Sequence, residues 1–268
     1  LVVIAAALVA ITVITNAYSF NLMLRNFRQS LSSTAQIYTE QISGKVDKIN
    51  SGSLELVSLA ASSQNYYTSS PLGRYLTQQD ILTHLQDRIR YVESNDLYFF
   101  YRTDSDELLT ALSNRPSTGS SYFWNQYLML PPTQPANTWF SVTCNGETWL
   151  MYYYNVSQVR VGAAVRAKTL LQSLYADTGL VQDSGFALAG LDGTIVYSSQ
   201  PDLMACGTSL AGHIPASLIV ESHTVPEVGT LLLFRPSSDL LHQLSGSFGW
   251  LLLLNLLALA LITTMLLN

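Results

Sequence analysis

Two stretches of this chain carry no Asp, Glu, Lys or Arg, residues 1–24 and residues 240–268, so every formal charge falls between Arg25 and Asp239. At about 1.5 Å of rise per helical residue, the first run and the segment 249–267 (GWLLLLNLLALALITTMLL) are each long enough to cross a hydrocarbon layer about 30 Å thick. We read them as two transmembrane helices, 1–24 and 245–268. A cleaved signal peptide is the alternative for the first run, but it has no basic n-region, no small-residue cleavage site follows, and its apolar stretch is too long. Tyr18 and Phe20 close the first run while Phe248 and Trp250 open the second, so aromatic-belt residues mark the two ends that adjoin the charged region. Both helices then enter the same compartment. The absence of an initiator Met, and an end one residue past an apolar run, suggest a segment of a longer protein.

The charged residues make up 12% of the chain, about half the usual share of a soluble domain, against 48% hydrophobic residues. The central region is rich in Ser, Thr, Asn, Gln and Tyr and mildly acidic, with a net charge of −5 over the chain. Arg25 and Arg28 argue weakly for cytoplasm, but long domains translocate largely regardless of charge, and this composition favours the extracytoplasmic side. No basic stripe exists for a phosphate backbone, which excludes nucleic acid as a partner. Cys144 and Cys206 match no disulfide framework and no zinc or redox spacing; we expect two separate buried thiols, with one bridge as the alternative. There is no metal-binding pair on a helix, no nucleophile elbow, no P-loop and no dinucleotide glycine pattern. Neither an active site nor a metal or cofactor is therefore expected. His84, His213, His223 and His242 fall on separate elements and read as surface or interfacial residues. Asp104, Asp106 and Glu107 resemble part of a calcium loop, but lack its glycine and its distal Glu, so a solvated turn is expected.

After the first run, apolar or small residues recur at Leu31, Ala35, Tyr38, Ile42, Val46, Ile49, Leu56 and Ala60, spaced by threes and fours with a polar gap at Ser53. This spacing predicts one long amphipathic helix whose stripe fits either a dimer seam or the face that packs on its own domain. Gly44 and Gly52 each weaken it by about 1 kcal/mol relative to Ala, which allows a bend or break near 51–53. Thr77 and Asp80 read as a capping box for a second helix through Ile81, Leu85, Ile89 and Val92. Strands are expected at 97–102, through Leu112, at 139–144, 147–156 and 159–165, followed by a short helix at 168–175. The Asn145-Gly146 pair suits the positive φ of a type I′ hairpin turn. A second, shorter unit repeats the pattern, with strands at 186–191 and 194–198 around Asp192-Gly193 and two more at 218–225 and 230–234. The fold class is α+β. The divisions are a membrane helix at 1–24, an ascending helix and second helix at 25–94, a membrane-distal unit at 95–176, a smaller proximal unit at 177–244 and a membrane helix at 245–268.

In this order, Leu97-Tyr98-Phe99-Phe100-Tyr101-Arg102, Trp139 opening a strand, Tyr152-Tyr153-Tyr154, Val161-Gly162-Ala163-Ala164-Val165 and then the 186–197 strand-turn-strand resemble the double Cache sensor regions of bacterial transmembrane receptors. Cache units are extracytoplasmic relatives of PAS domains, so the resemblance implies two PAS-like antiparallel-sheet units. Within that group the Gln- and Ser-rich ascending helix, with Ile49-Asn50 and 54–60, is most similar to sensor histidine kinases paired with AraC-type response regulators. Chemoreceptors and diguanylate cyclases use the same plan. The resemblance implies that the distal unit binds a small extracellular molecule and signals through the helices to a cytoplasmic output module outside this chain. Amino-acid-binding members carry an Arg-x-Trp-Tyr segment and an Asp at the end of the last strand. Here the matching stretches are Tyr122-Phe123-Trp124-Asn125-Gln126-Tyr127 and Arg166-Ala167, so α-amino-acid recognition is not implied.

Aromatic residues are the one chemical feature above background, and Tyr98, Phe100, Tyr122, Trp124, Tyr127, Trp139, Trp149, Tyr152 and Tyr154 all fall in the distal unit. Strand alternation puts Tyr98 with Phe100, and Tyr152 with Tyr154, on common faces. Core packing accounts for any one of them; together they exceed what a small core needs, and such rings line pockets for neutral or sugar-like ligands. With Arg102 as a nearby cation for a carboxylate or phosphate, the candidate ligand-binding set is Tyr98, Phe100, Arg102, Tyr122, Trp124, Tyr127, Trp139, Tyr152 and Tyr154. The sequence thus describes a non-enzymatic, homodimeric sensor segment of the cell membrane, multi-pass with two helices. Its rival is a membrane-anchored protein-interaction domain with no small ligand.

Overall fold

The stripe from Leu31 to Ala60 lies on a single helix, α1 (Val2–Ser62), and all eight of its residues are buried. They join one apolar cluster with residues of two different sheets. The stripe is therefore the face by which α1 packs on its own domain, and the dimer-seam alternative for it falls away. No break falls at 51–53, where α1 continues as helix. Ser53 is fully buried and its hydroxyl donates to the Ile49 carbonyl at 3.0 Å, so the polar gap is closed within the helix. The computed structural model describes residues 2–62, 70–92, 96–105, 107–113, 136–144, 146–176, 184–211 and 214–238, together with 257, 260 and 264.

Helix α2 (Pro71–Tyr91) starts earlier than the expected capping box. Ser70 is its N-cap, accepting from the Gly73 N–H at 3.2 Å, and Pro71 enters the first turn, where its missing N–H costs nothing. Thr77 instead lies inside the helix and donates to the Gly73 carbonyl at 3.0 Å. Ile81 and Leu85 are its buried residues, and Arg88 pairs with Glu55 of α1.

The first sheet has the order β2-β1-β5-β4-β3, formed by β1 (Leu97–Arg102), β2 (Glu107–Leu112), β3 (Phe140–Cys144), β4 (Glu147–Val156) and β5 (Val159–Arg166). The second has the order β7-β6-β9-β8, formed by β6 (Gly185–Gly190), β7 (Ile195–Ser198), β8 (Leu218–Val225) and β9 (Gly229–Pro236). All neighbours are antiparallel. In each sheet the first strand sits between the second and the last, so the smaller sheet repeats the larger with one strand fewer. Both expected hairpins form. Cys144 pairs with Glu147 around Gly146, whose φ is +78°, and Gly193, at φ +76°, follows an Asp192 carboxylate that accepts from the N–H and hydroxyl of Thr194. The helix expected at 168–175 is two short pieces, α3 (Ala167–Leu170) and α4 (Gln172–Ala176), because Leu171 leaves helical geometry at ψ 10°.

Helix α1 packs on both sheets, and single hydrogen bonds tie the parts together. Lys45 donates to the Leu170 carbonyl at 3.0 Å, Thr148 of β4 to the Val196 carbonyl of β7 at 2.9 Å, and Ser32 bonds His223 of β8 at 3.1 Å. Burial lowers the Lys45 ammonium from its ordinary pKa. Cys206 is free and exposed, not buried as expected; the Cys144 side chain lies outside the described residues. Among the described residues no helix is long and apolar enough to cross a membrane. The side chains at 2–6, 8, 9 and 12, and all of 239–268 except 257, 260 and 264, lie outside that description.

Candidate ligand-binding site

The five-stranded sheet has two apolar faces with different partners. One face, carrying Tyr98 and Phe100 of β1, Leu150 and Tyr152 of β4 and Val161, Ala163 and Val165 of β5, joins the cluster that contains the stripe of α1. Tyr98 is fully buried, with its hydroxyl 3.5 Å from the Ile49 carbonyl and its ring end against Gly52. Trp139 lies beside Tyr152, with ring centroids 5.4 Å apart, and Tyr152 meets Tyr154 edge-on at 5.2 Å. The Trp139 indole N–H donates to Asn50 Oδ1 at 3.2 Å, and Asn50 Nδ2 donates to Glu227 Oε2 at 2.7 Å. Asn50 thus links the larger sheet, α1 and the β8–β9 turn. Burial raises the Tyr152 phenol well above its ordinary pKa, helped by the Tyr154 hydrogen bond and the nearby Glu227 carboxylate.

Five of the expected ligand residues, Tyr98, Phe100, Trp139, Tyr152 and Tyr154, therefore lie on the side of the sheet that faces α1. Arg102 is buried and forks onto Asp104, with Nε–Oδ1 at 3.0 Å and Nη2–Oδ2 at 2.6 Å. That pairing holds the Asp104 carboxyl below its ordinary value and matches the guanidinium charge within the β1–β2 turn. Tyr122, Trp124 and Tyr127 lie outside the described residues.

The opposite face has its own cluster, made of Leu97, Phe99 and Tyr101 of β1, Trp149, Met151 and Tyr153 of β4 and Ala164 of β5, flanked by Leu108, Phe140 and Val142. Phe99 is fully buried, Tyr101 is 2% exposed and Tyr153 3%. Phe140 meets Tyr153 edge-on at 6.0 Å. Burial raises the Tyr153 phenol from its ordinary value, against a smaller lowering by Arg160. Arg160 and Arg166, both on this face of β5, lie over Tyr101 at 5.8 Å and Trp149 at 5.6 Å. Arg166 is fixed by Asp96, whose carboxylate accepts from its Nη2 at 2.6 Å and from its backbone N–H at 2.8 Å. The result is a buried aromatic cluster with phenol and indole groups and a charged pair at one end.

Alternation was enough to group these residues by face but not to say which face meets α1. One signal was available: LYFFYR is continuously apolar or aromatic apart from its last residue, which points to a strand covered on both sides. A concavity of about 400 Å3 lies between α1 and α2, lined by Glu55, Leu59, Asp80, His84 and Arg88 among others. Its polar groups face one another, Arg88 paired with Glu55 and His84 lying 3.7 Å from Asp80, which leaves little to recognise a ligand.

Over 80% of its length the chain is similar to the periplasmic sensory domain of the Campylobacter jejuni chemoreceptor Tlp1, at 9% identity and a TM-score of 0.53, covering 96% of that chain. Weaker likenesses include the ligand-binding domain of the Pseudomonas fluorescens chemoreceptor CtaA in complex with L-serine (14% identity, 80% and 99% coverage, TM-score 0.46). The extracellular domain of a proposed histidine kinase is another (10% identity, 82% and 98% coverage, TM-score 0.47). No family model and no curated protein matches. A long N-terminal helix laid across two antiparallel sheets is thus a fold this chain shares with a periplasmic sensory domain.

Proposed function

We propose that this chain is the extracytoplasmic, small-molecule-sensing segment of a homodimeric transmembrane receptor, held by membrane helices at 1–24 and 245–268 and coupled to a cytoplasmic histidine-kinase module. The observation that carries the reading is the second aromatic cluster, on the face of the larger sheet away from α1. The α1 face is committed to packing, so the ligand-binding role passes from Tyr98, Phe100, Trp139, Tyr152 and Tyr154 to Phe99, Tyr101, Trp149 and Tyr153. Apolar walls with a few fixed polar groups are the usual make-up of small-molecule sites, and phenol and indole groups supply both stacking and directed hydrogen bonds. The shared fold supports an extracytoplasmic setting. The charge-free runs at both ends support the membrane attachment, and the likeness of the ascending helix to sensor kinases supports the output module.

Signalling on this account needs a ligand with different affinity for two arrangements of the helices. Helix α1 is suited to report the difference, because it packs on both sheets and runs on into residues 2–24. The test is a thermal-shift screen of the chain against sugars, nucleosides, amides, carboxylates and amines. A binder at one hundred times its Kd stabilises by about 2.7 kcal/mol, and Trp149→Ala should remove that gain. A broad panel with no stabilising compound would contradict sensing. Reading the coding sequence past residue 268 tests the kinase assignment against a chemoreceptor or cyclase output.

A further inference from the structure

We propose that the site on the outer face of the larger sheet takes an uncharged ligand presenting a hydrogen-bond acceptor at the Trp149 end, and rejects free carboxylates and amines. The inference rests on the reading of that face as the ligand site. Asp96 precedes β1 and Arg166 ends β5, and the antiparallel register that pairs Leu97 with Ala164 brings them side by side. Asp96 is 4% exposed, and both of its carboxylate oxygens are engaged by Arg166, one by Nη2 and one by the backbone N–H. The guanidinium in turn lies over Trp149 at 5.6 Å. Aspartate and arginine therefore cancel within the pair.

One donor of that guanidinium is left over. Arg166 Nε is buried and has no hydrogen-bond partner among the described residues. A buried donor of this kind is completed by an acceptor, which a ligand amide, hydroxyl or ether oxygen would supply. A carboxylate ligand would instead compete with Asp96 for the guanidinium and bring an unmatched negative charge into a poorly solvated site. An ammonium ligand would have to draw Asp96 away from Arg166. Both cost more than seating a neutral group. Glu147 adds a more distant negative charge that further stabilises the guanidinium. Arg160, the other cation of this face, is six residues earlier on β5, roughly 20 Å away at about 3.3 Å per residue, and does not reach the pair.

The test uses three probes that share one ring and differ in charge: benzamide, benzoate and benzylammonium. Each is titrated into the full chain in detergent at neutral pH, read by tryptophan fluorescence and thermal shift. Benzamide should bind about tenfold or more tighter than either ion. Asp96→Asn leaves Arg166 unmatched and should move the preference to benzoate; Arg166→Gln should move it to benzylammonium. Breaking a buried pair can unfold a protein, so the doubly neutral variant Asp96→Asn/Arg166→Gln is measured as well: without the Nε donor it should bind benzamide more weakly than wild type, and without either charge it should favour neither ion. A wild-type preference for benzoate or benzylammonium overturns the charge rule while leaving the ligand site standing. No binding by any probe, with no stabilising compound in the wider panel, overturns the site and the charge rule together.

Discussion

Replacing Gly52 by Ala sets two effects of opposite sign against each other. In a helix interior Ala is favoured over Gly by about 1 kcal/mol, so on propensity alone the change would strengthen α1. On this backbone a Cβ at position 52 would overlap the Tyr98 hydroxyl and lie 3.0 Å from the ring Cζ. Tyr98 is fully buried on β1, between β2 and β5, so its ring has little room to yield. Overpacking of that kind costs about 1–3 kcal/mol, which leaves Gly52→Ala destabilising by a net of about 0–2 kcal/mol. Tyr98→Phe removes the overlapping oxygen, and because its bond to the Ile49 carbonyl is long at 3.5 Å, the change alone should cost about 0.5 kcal/mol. Combined with Tyr98→Phe, the Gly52→Ala substitution should recover most of the helix preference, giving a favourable coupling of about 1–2 kcal/mol in the double-mutant cycle. Urea denaturation of the four proteins, followed by tryptophan fluorescence, measures it. Additivity within about 0.5 kcal/mol, or a Gly52→Ala protein that is more stable by the full helix preference, would refute the contact and release Tyr98 from α1.

Three further outcomes are expected. Asn50→Ala takes the acceptor from the Trp139 indole and the donor from Glu227, and should cost about 1–3 kcal/mol in chemical denaturation, whereas an unchanged midpoint would mean that the link between the sheets carries no energy. The Asp104 carboxyl is held below its ordinary 3.8 mainly by its hydrogen bond to Arg102, so its contribution is complete above that value and disappears as pH falls through the depressed one. The wild-type Tm should accordingly fall more steeply between about pH 5 and 3 than that of Asp104→Asn, and parallel curves would contradict the pairing. Gly229 sits at φ +148°, where a Cβ would overlap the Ala189 carbonyl oxygen and lie 2.9 Å from two backbone carbons of β6. Gly229→Ala should therefore cost more than about 3 kcal/mol or abolish folding, and a loss below about 1 kcal/mol would argue against the Gly190–Gly229 pairing.

The features legible in the sequence were those with local chemical causes. Asn145-Gly146 and Asp192-Gly193 specify their hairpins because the turns need positive φ, and the threes-and-fours stripe of α1 marks a buried helical face wherever that face packs. The start of α2 was misplaced because two capping signals compete, and the Ser70-Pro71 pair, with a proline already shaped for the first turn, prevails over Thr77 and Asp80. The break at Leu171 has no proline or glycine to announce it. Which face of the larger sheet meets α1 is the part the sequence leaves open. Tyr98 and Phe99, or Tyr152 and Tyr153, are chemically alike and point to opposite sides of one sheet, so composition alone could not say which pair lies under α1. That choice is made by long-range packing between residues some 50 positions apart, such as Ile49 and Tyr98.

Tyr152 and Tyr153 allow the most direct test of the sensing account, because they are adjacent, both buried, and on opposite faces of β4. The measurement is the Kd of a stabilising compound for wild type, Tyr152→Phe and Tyr153→Phe, obtained by titration under one condition. The account predicts that Tyr153→Phe weakens binding by about tenfold while Tyr152→Phe leaves it within about twofold of wild type. The reverse order, with Tyr152 sensitive and Tyr153 not, would return the ligand to the α1 face and contradict the account.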